Sequence, residues 1–62
     1  MSYDDTPNED LLTLYRRMST PELEHLRWAF SIDRDKSAAA AAFCDRRMAL
    51  IDHVLREREV VS

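Results

Sequence analysis

The stretch DRDKSAAAAA, residues 33–42, decides how this chain folds. Its polar half interrupts an apolar helical pattern, and Ser37 is a favourable N-cap for the alanine run that follows. Alanine has the highest intrinsic helix propensity, so a new helix is expected to begin just after this serine. The alternative is one continuous helix from Pro21 onwards, because no strong helix breaker follows that proline. We favour the turn, which predicts a hairpin of helices at about 21–33 and 38–58.

The first helix of this hairpin is apolar on two sides. Leu23, Leu26 and Phe30 share one face, and Trp28 and Ile32 lie on another. A single hairpin can bury only one of these faces against its neighbour. The second apolar face therefore predicts a homodimer that completes a helical bundle, or an obligate protein partner.

The last helix carries the broadest apolar surface in the sequence. At 100° per residue its apolar side chains span an arc of about 160°. They are Phe43, Cys44, Met48, Leu50, Ile51, Val54 and Leu55. Arg47 falls inside this arc. Either its stem packs while the guanidinium reaches water, or the guanidinium is held by a carboxylate such as that of Asp33 or of a partner protein.

Two Thr-Pro pairs mark the starts of the first two helices. Thr6-Pro7 predicts a short first helix at about 7–18, with Thr6 as N-cap and Glu9 completing a capping box. Thr20-Pro21 predicts the next start, with threonine as N-cap and proline at the first helical position. The fold class is thus all-α, a short N-terminal helix followed by a helical hairpin.

Composition restricts the class of protein. The chain has 62 residues, no glycine, one cysteine and a net charge of −3. Without glycine, β-hairpins are unlikely and glycine-rich phosphate loops are excluded. We expect one helical domain at 7–58, an acidic disordered leader at 1–6 and a frayed tail at 59–62. No apolar run reaches the ~20 residues of a membrane-spanning helix, and a lone thiol is typical of a reducing, cytoplasmic setting.

No constellation for metal binding or catalysis emerges. His25, Cys44 and His53 are the soft metal ligands, and no two of them have the close spacing of a zinc site. Asp52 and His53 are adjacent, so on a helix they point about 100° apart and cannot form a catalytic pair. We therefore expect no metal, no cofactor and no enzyme activity.

The leading hypothesis is a small regulatory or adaptor protein that dimerises through its last two helices and binds a protein target. The candidate interface residues are Trp28, Phe30, Ile32, Phe43, Arg47, Met48, Ile51 and Leu55. In size, acidity and helix content the chain is similar to anti-activators that mask bacterial transcription regulators. This resemblance is architectural and includes no shared motif. It implies a target among transcription regulators.

Two alternatives remain open from the sequence. In one, Arg16, Arg17, Arg46 and Arg47 form a basic face for nucleic-acid phosphates. In the other, the chain is a structural assembly subunit that stacks helices along the alanine seam at 38–42. Salt-dependent DNA binding would distinguish the first alternative, and large concentration-dependent assemblies the second.

Overall fold

A computed structural model describes residues 6–61, with no side-chain description of residue 61. Its described part consists of three helices: α1 (Asn8–Arg16), α2 (Thr20–Asp33) and α3 (Ala38–Val61). The predicted fold class, a short helix followed by a helical hairpin, is confirmed. The predicted acidic leader lies outside the described residues except for Thr6, and so does Ser62 of the predicted tail.

Helix α1 begins one residue later than predicted and without the predicted cap. Pro7 occupies the N-cap position in an extended conformation, and no side chain caps the helix there. The predicted capping box of Thr6 and Glu9 was therefore wrong. The φ of Pro7, −61°, is already close to that of a helix, so Pro7 can precede the first helical residue without a side-chain cap. The carbonyl of Glu9 accepts a hydrogen bond from the Thr13 hydroxyl instead.

Helix α2 begins with a capping box shifted one residue from the prediction. Ser19 is the N-cap, and Thr20, predicted as the cap, is the first helical residue. The Glu22 backbone N–H donates to the Ser19 hydroxyl at 3.3 Å, and the Ser19 backbone N–H donates to the Glu22 carboxylate at 3.1 Å. The Ser19 hydroxyl also donates to the Glu22 carboxylate at 2.7 Å. This hydrogen bond, followed by that from the Ser19 backbone N–H, lowers the pKa of Glu22. The serine fits because the residue three positions after it is a glutamate.

The turn between α2 and α3 confirms the favoured interpretation of the deciding stretch. Asp35 and Lys36 donate backbone hydrogen bonds three residues back, which tighten the end of α2. Ser37 then caps α3, because its hydroxyl accepts from the Ala40 backbone N–H at 3.0 Å. No described residue has a positive φ, so this glycine-free chain turns with ordinary right-handed and extended conformations alone.

Helix α3 is the common partner of the other two helices. Polar contacts pair Asn8 with Arg46 and Arg16 with Glu57, so α1 runs parallel to α3. Salt bridges from α2 to α3 join earlier α2 residues to later α3 residues, which makes the hairpin antiparallel. The core lies where all three helices meet. It consists of Leu11, Tyr15, Leu23, Ile51 and Val54, each at most 3% exposed.

Helix α3 is longer than the sequence indicated. The helix continues to Val61, three residues beyond its predicted end, although a frayed tail was expected from residue 59. Arg58 gives the reason. Its guanidinium donates to the backbone carbonyls of Tyr15, Arg16 and Met18 and to the Thr20 hydroxyl. These contacts anchor the end of α3 to the junction of α1 and α2.

Candidate functional site

One side of α2 leaves two large apolar side chains exposed. We call it the α2 outer face, formed by Pro21, Glu24, His25, Trp28 and Ile32. Trp28 is 60% exposed and Ile32 46% exposed. These two side chains are four residues apart, so they lie side by side on one face of the helix.

Two neighbouring side chains contact Trp28 on α2. The imidazole of His25 lies against the Trp28 indole, with ring centroids 5.8 Å apart and planes tilted by 32°. One turn further on, the Ser31 hydroxyl donates to the Trp28 carbonyl at 2.7 Å. Histidine therefore widens the flat aromatic surface at the edge nearer the start of α2.

Two salt bridges connect α2 and its C-cap residue to α3. Arg27 donates to Asp52 at 2.6 Å, and Arg34 donates to Asp45 at 3.2 Å. Both pairs are about half exposed, so each stabilises the fold only slightly. Burial of Leu23 in the core therefore contributes more than these pairs to how α2 is rotated against α3. This rotation is what directs Trp28 outward.

Phe30, Phe43 and Arg47 form a stack on the inner side of the hairpin. The two phenylalanine rings meet edge to face at 6.1 Å, and the Arg47 guanidinium lies 4.5 Å above the Phe43 ring. All three side chains are half-buried. The cation is thus placed on an aromatic face, an arrangement that the sequence did not predict.

The eight predicted interface residues differ in exposure. Phe30, Phe43 and Arg47 are half-buried in the stack just described. Met48 and Ile51 are 8% and 0% exposed and belong to the interior of this chain, and Leu55 is half-buried against the core cluster. Trp28 and Ile32 stay accessible. Leu14 and Val60 are exposed as well, so Trp28 and Ile32 are two of the four large apolar side chains left accessible within the described residues.

Two of the four arginines of the nucleic-acid alternative, Arg16 and Arg46, make their contacts at opposite ends of α1. Arg46 donates to the Asn8 side chain and the Thr6 carbonyl at the start of α1. Arg16, at the other end of that helix about 12 Å away, donates two hydrogen bonds to Glu57. This contact raises the pKa of Arg16 and, chiefly through the hydrogen bond, lowers that of Glu57.

Sequence reasoning missed Arg58 as a structural residue. A helix commonly ends with a glycine in the left-handed conformation, which satisfies its last carbonyls. No glycine is available here, and a guanidinium from α3 satisfies the carbonyls at the end of α1 instead. The absence of glycine was the signal that could have prompted a search for such a cation, although it could not say which arginine would serve.

The three soft metal ligands lie in different environments. His25 is on the α2 outer face, His53 is exposed on α3 at 3.6 Å from Glu57, and Cys44 is buried. Burial, followed by the nearby Asp33 and Asp45 carboxylates, raises the pKa of Cys44, so its thiol is protonated at neutral pH. Within residues 6–61 no cluster of three or more potential ligands could hold a metal ion.

Comparison of the chain with protein-family models, with curated proteins and with solved structures finds no match in any of the three. None of the described helices combines the length and the apolar character needed to cross a membrane. The site is thus defined by its own geometry, as an exposed tryptophan-centred face on a helix whose other side is packed.

Proposed function

We propose that this protein acts by binding another protein through the α2 outer face, in a regulatory or adaptor role without catalysis. The observation that carries the proposal is the 60% exposure of Trp28 in a chain whose own core is closed, with Leu23 and Ile51 at 0%. Tryptophan is among the residues that most often dominate the energy of protein interfaces.

The arrangement around Trp28 supports a specific contact. An aromatic side chain on a helix loses few degrees of freedom when it inserts into a groove, and Ile32 extends the apolar strip by one turn. Glu24 and His25 provide a polar edge, as expected around the centre of an interface. A helix presented in this way fits an apolar groove or the apolar face of another helix.

The target class named from the sequence stays a prediction. An anti-activator would cover an apolar surface of a transcription regulator, and the α2 outer face has the chemistry for such a contact. Dimerisation through the last two helices likewise stays a prediction, and α2 is the helix of that pair with the accessible apolar side chains. Nucleic-acid binding remains the alternative, to be tested by titration with duplex DNA at several salt concentrations.

Site-specific photo-crosslinking in the cells that produce the protein tests the proposal. A photoreactive amino acid at position 28 or 32 is expected to give a discrete protein adduct. The same residue at Ala49, exposed on α3, serves as the matched control and is expected to give none. Adducts at positions 28 and 32 that do not exceed the Ala49 control would contradict a protein-binding role for this face.

Substitution of the central residue supplies the second arm. Trp28→Ala is expected to abolish the adduct formed from position 32 while leaving the helical circular-dichroism spectrum unchanged. An adduct from position 32 that persists undiminished in this variant would mean that the tryptophan does not carry the contact.

A further inference from the structure

A shallow depression lies on the surface of α3 near the end of the helix. It has a volume of about 330 Å³, opens to solvent and is lined by His53, Arg56, Glu57 and Val60. Most of its lining is apolar, and the Val60 side chain is 82% exposed. We call this surface the α3 depression. It is a hollow, whereas the α2 outer face is a ridge with Trp28 at its centre.

The α3 depression and the first two turns of the α2 outer face have the same helical spacing. Their residues stand at positions i, i+3, i+4 and i+7, and at 100° per residue each set covers an arc of about 100°. The two sets are Pro21, Glu24, His25 and Trp28 on α2, and His53, Arg56, Glu57 and Val60 on α3. All eight positions lie inside regular helix. The two surfaces therefore match in length and width.

The flanking charges of the two surfaces are complementary. Glu24 is exposed on α2 and Arg56 is exposed on α3, and within residues 6–61 neither side chain forms an ion pair. Each of them stands at the i+3 position, on one flank of its surface. On the i+4 flank, α2 presents the imidazole of His25 and α3 the carboxylate of Glu57. An acid or a hydrogen-bond acceptor on one surface thus corresponds to a base on the other.

The flanks also determine the direction in which two such helices can pack. In an antiparallel pair, the i+3 flank of one helix lies opposite the i+3 flank of the other, whereas a parallel pair sets i+3 against i+4. Flanking charges of this kind decide the orientation of paired helices. An antiparallel contact brings Glu24 to an arginine and His25 to a glutamate. A parallel contact would set Glu24 against a glutamate and His25 against an arginine.

We propose that a second copy of this chain covers the α2 outer face through its α3 depression, with the two helices antiparallel. Trp28 would enter the depression beside His53 of the partner subunit. Glu24 would pair with Arg56 of the partner subunit. One contact would then cover exposed apolar side chains on both surfaces. This inference rests on the proposed function, because it names the occupant of the same face.

The proposed contact uses different surfaces on the two copies. Asp45 and Asp52, which bind α2 and its C-cap residue within the chain, lie about 80° around α3 from the middle of the depression. The depression is therefore not filled by the α2 helix of its own chain. Each copy keeps one surface free after the first contact, so association continues head to tail, as a ring or an open chain.

The assemblies are expected to be weak and reversible. A contact of about two helical turns lies below the ~1,200 Å² of total buried area that is typical of stable protein complexes. We therefore expect species larger than a dimer at high concentration, and monomers on dilution. Because Trp28 is the single tryptophan of the chain, its fluorescence reports directly on coverage of the α2 outer face.

Blocking one surface at a time tests the head-to-tail arrangement. Trp28→Ala removes the ridge and leaves the depression, and Arg56→Glu combined with Val60→Asp alters the depression and leaves the ridge. In sedimentation velocity at low salt, each blocked variant alone is expected to stay monomeric at concentrations where the wild type associates. An equimolar mixture is expected to give a one-to-one dimer and nothing larger, because the mixture holds a single intact pair of surfaces.

Charge exchange tests the pairing of Glu24 with Arg56. Glu24→Lys and Arg56→Glu each set like charges on one flank, so each alone is expected to weaken association about fivefold. The two substitutions in one chain are expected to recover wild-type association, because the pair is then attractive with reversed sign. A high salt concentration should reduce the difference between the single variants and the wild type.

Matched controls carry the same charge changes on α1. Asp10→Lys and Arg17→Glu alter exposed positions outside both surfaces, and each is expected to associate like the wild type. Thermal melting followed by circular dichroism confirms that every variant is folded before sedimentation.

Three results would overturn the inference. These are a wild-type chain that stays monomeric at the highest attainable concentration, a mixture of the two blocked variants that forms no dimer, and a charge exchange that associates no better than either single variant. The crosslinking experiment separates this failure from that of the proposed function. A monomer whose position 28 crosslinks to a different protein loses the self-docking inference and retains the protein-binding role.

Discussion

The two sides of α2 have similar apolar patterns, but one side is buried and the other is exposed. Leu23 on the inner side is fully buried, and Trp28 on the outer side is 60% exposed. Both sets recur at helical spacing, so the periodicity alone ranks them equally. The difference is that α3 lies against one side only. An apolar pattern thus identifies faces that can be buried, and the position of the neighbouring helix determines which face is buried and which stays exposed.

The largest expected effect comes from the inner side. Leu23→Ala removes a fully buried side chain and should lower the free energy of unfolding by about 2–5 kcal/mol. A core in a chain of this size supplies only ~3–5 kcal/mol in total, so the variant should be largely unfolded at 37 °C. Urea titration followed by circular dichroism measures the change. Ile32→Ala on the outer side is the matched control, expected to shift stability by about 0.5 kcal/mol or less. Equal losses in the two variants would contradict the difference in burial between the two sides of α2.

The next effect concerns Arg58, whose guanidinium connects the end of α3 to the junction of α1 and α2. Arg58→Ala should cost about 1–2 kcal/mol, because three carbonyls at the junction of α1 and α2 lose a charged donor. Arg56→Ala, two residues away and exposed, should be close to neutral. The same urea titration compares them. If the two variants proved indistinguishable, the anchoring role of Arg58 would have to be abandoned.

A smaller effect sharpens the description of the outer side. The emission maximum of Trp28 in dilute, folded protein should lie close to that of the urea-unfolded chain, because the indole is already mostly exposed. Trp28→Ala should change folding stability by about 0.5 kcal/mol or less. A strongly blue-shifted emission at the lowest measurable concentration would show that the folded monomer buries the indole.

The smallest effect is the dependence of stability on pH. Arg16 lowers the pKa of Glu57 in the folded state, chiefly through their hydrogen bond. A lowered carboxyl pKa contributes stability above the unfolded value of about 4.3 and loses that contribution as pH falls through the folded value. Glu57→Gln should therefore reduce stability slightly at pH 7 and have little effect at pH ~3. In an Arg16→Ala background this pH-dependent effect of Glu57→Gln should be much smaller, because only the weaker influence of His53 remains, and an undiminished effect would contradict the assigned cause.

Much of the fold could be predicted from local patterns. The turn after Asp33, the Ser37 cap and the three helices follow from propensity and spacing, which act over a few residues. The start of α2 was displaced by one residue, because Ser19 and Thr20 are both good caps and only Ser19 has a glutamate three positions later. For the candidate surface, Trp28 and Ile32 were among the predicted residues, whereas Met48 and Ile51 proved to be interior.

Local sequence patterns were enough to predict the helical class, the hairpin, and more apolar helix surface than one neighbour could cover. These properties depend on intrinsic propensity, capping and periodicity, which are encoded within a turn or two of each residue. Only the tertiary structure decided that Arg58 binds the end of α1, that Arg47 lies over Phe43, and that Trp28 is the apolar residue left accessible at the centre of α2. Each of these depends on how helices distant in sequence are rotated against one another, which no local pattern specifies.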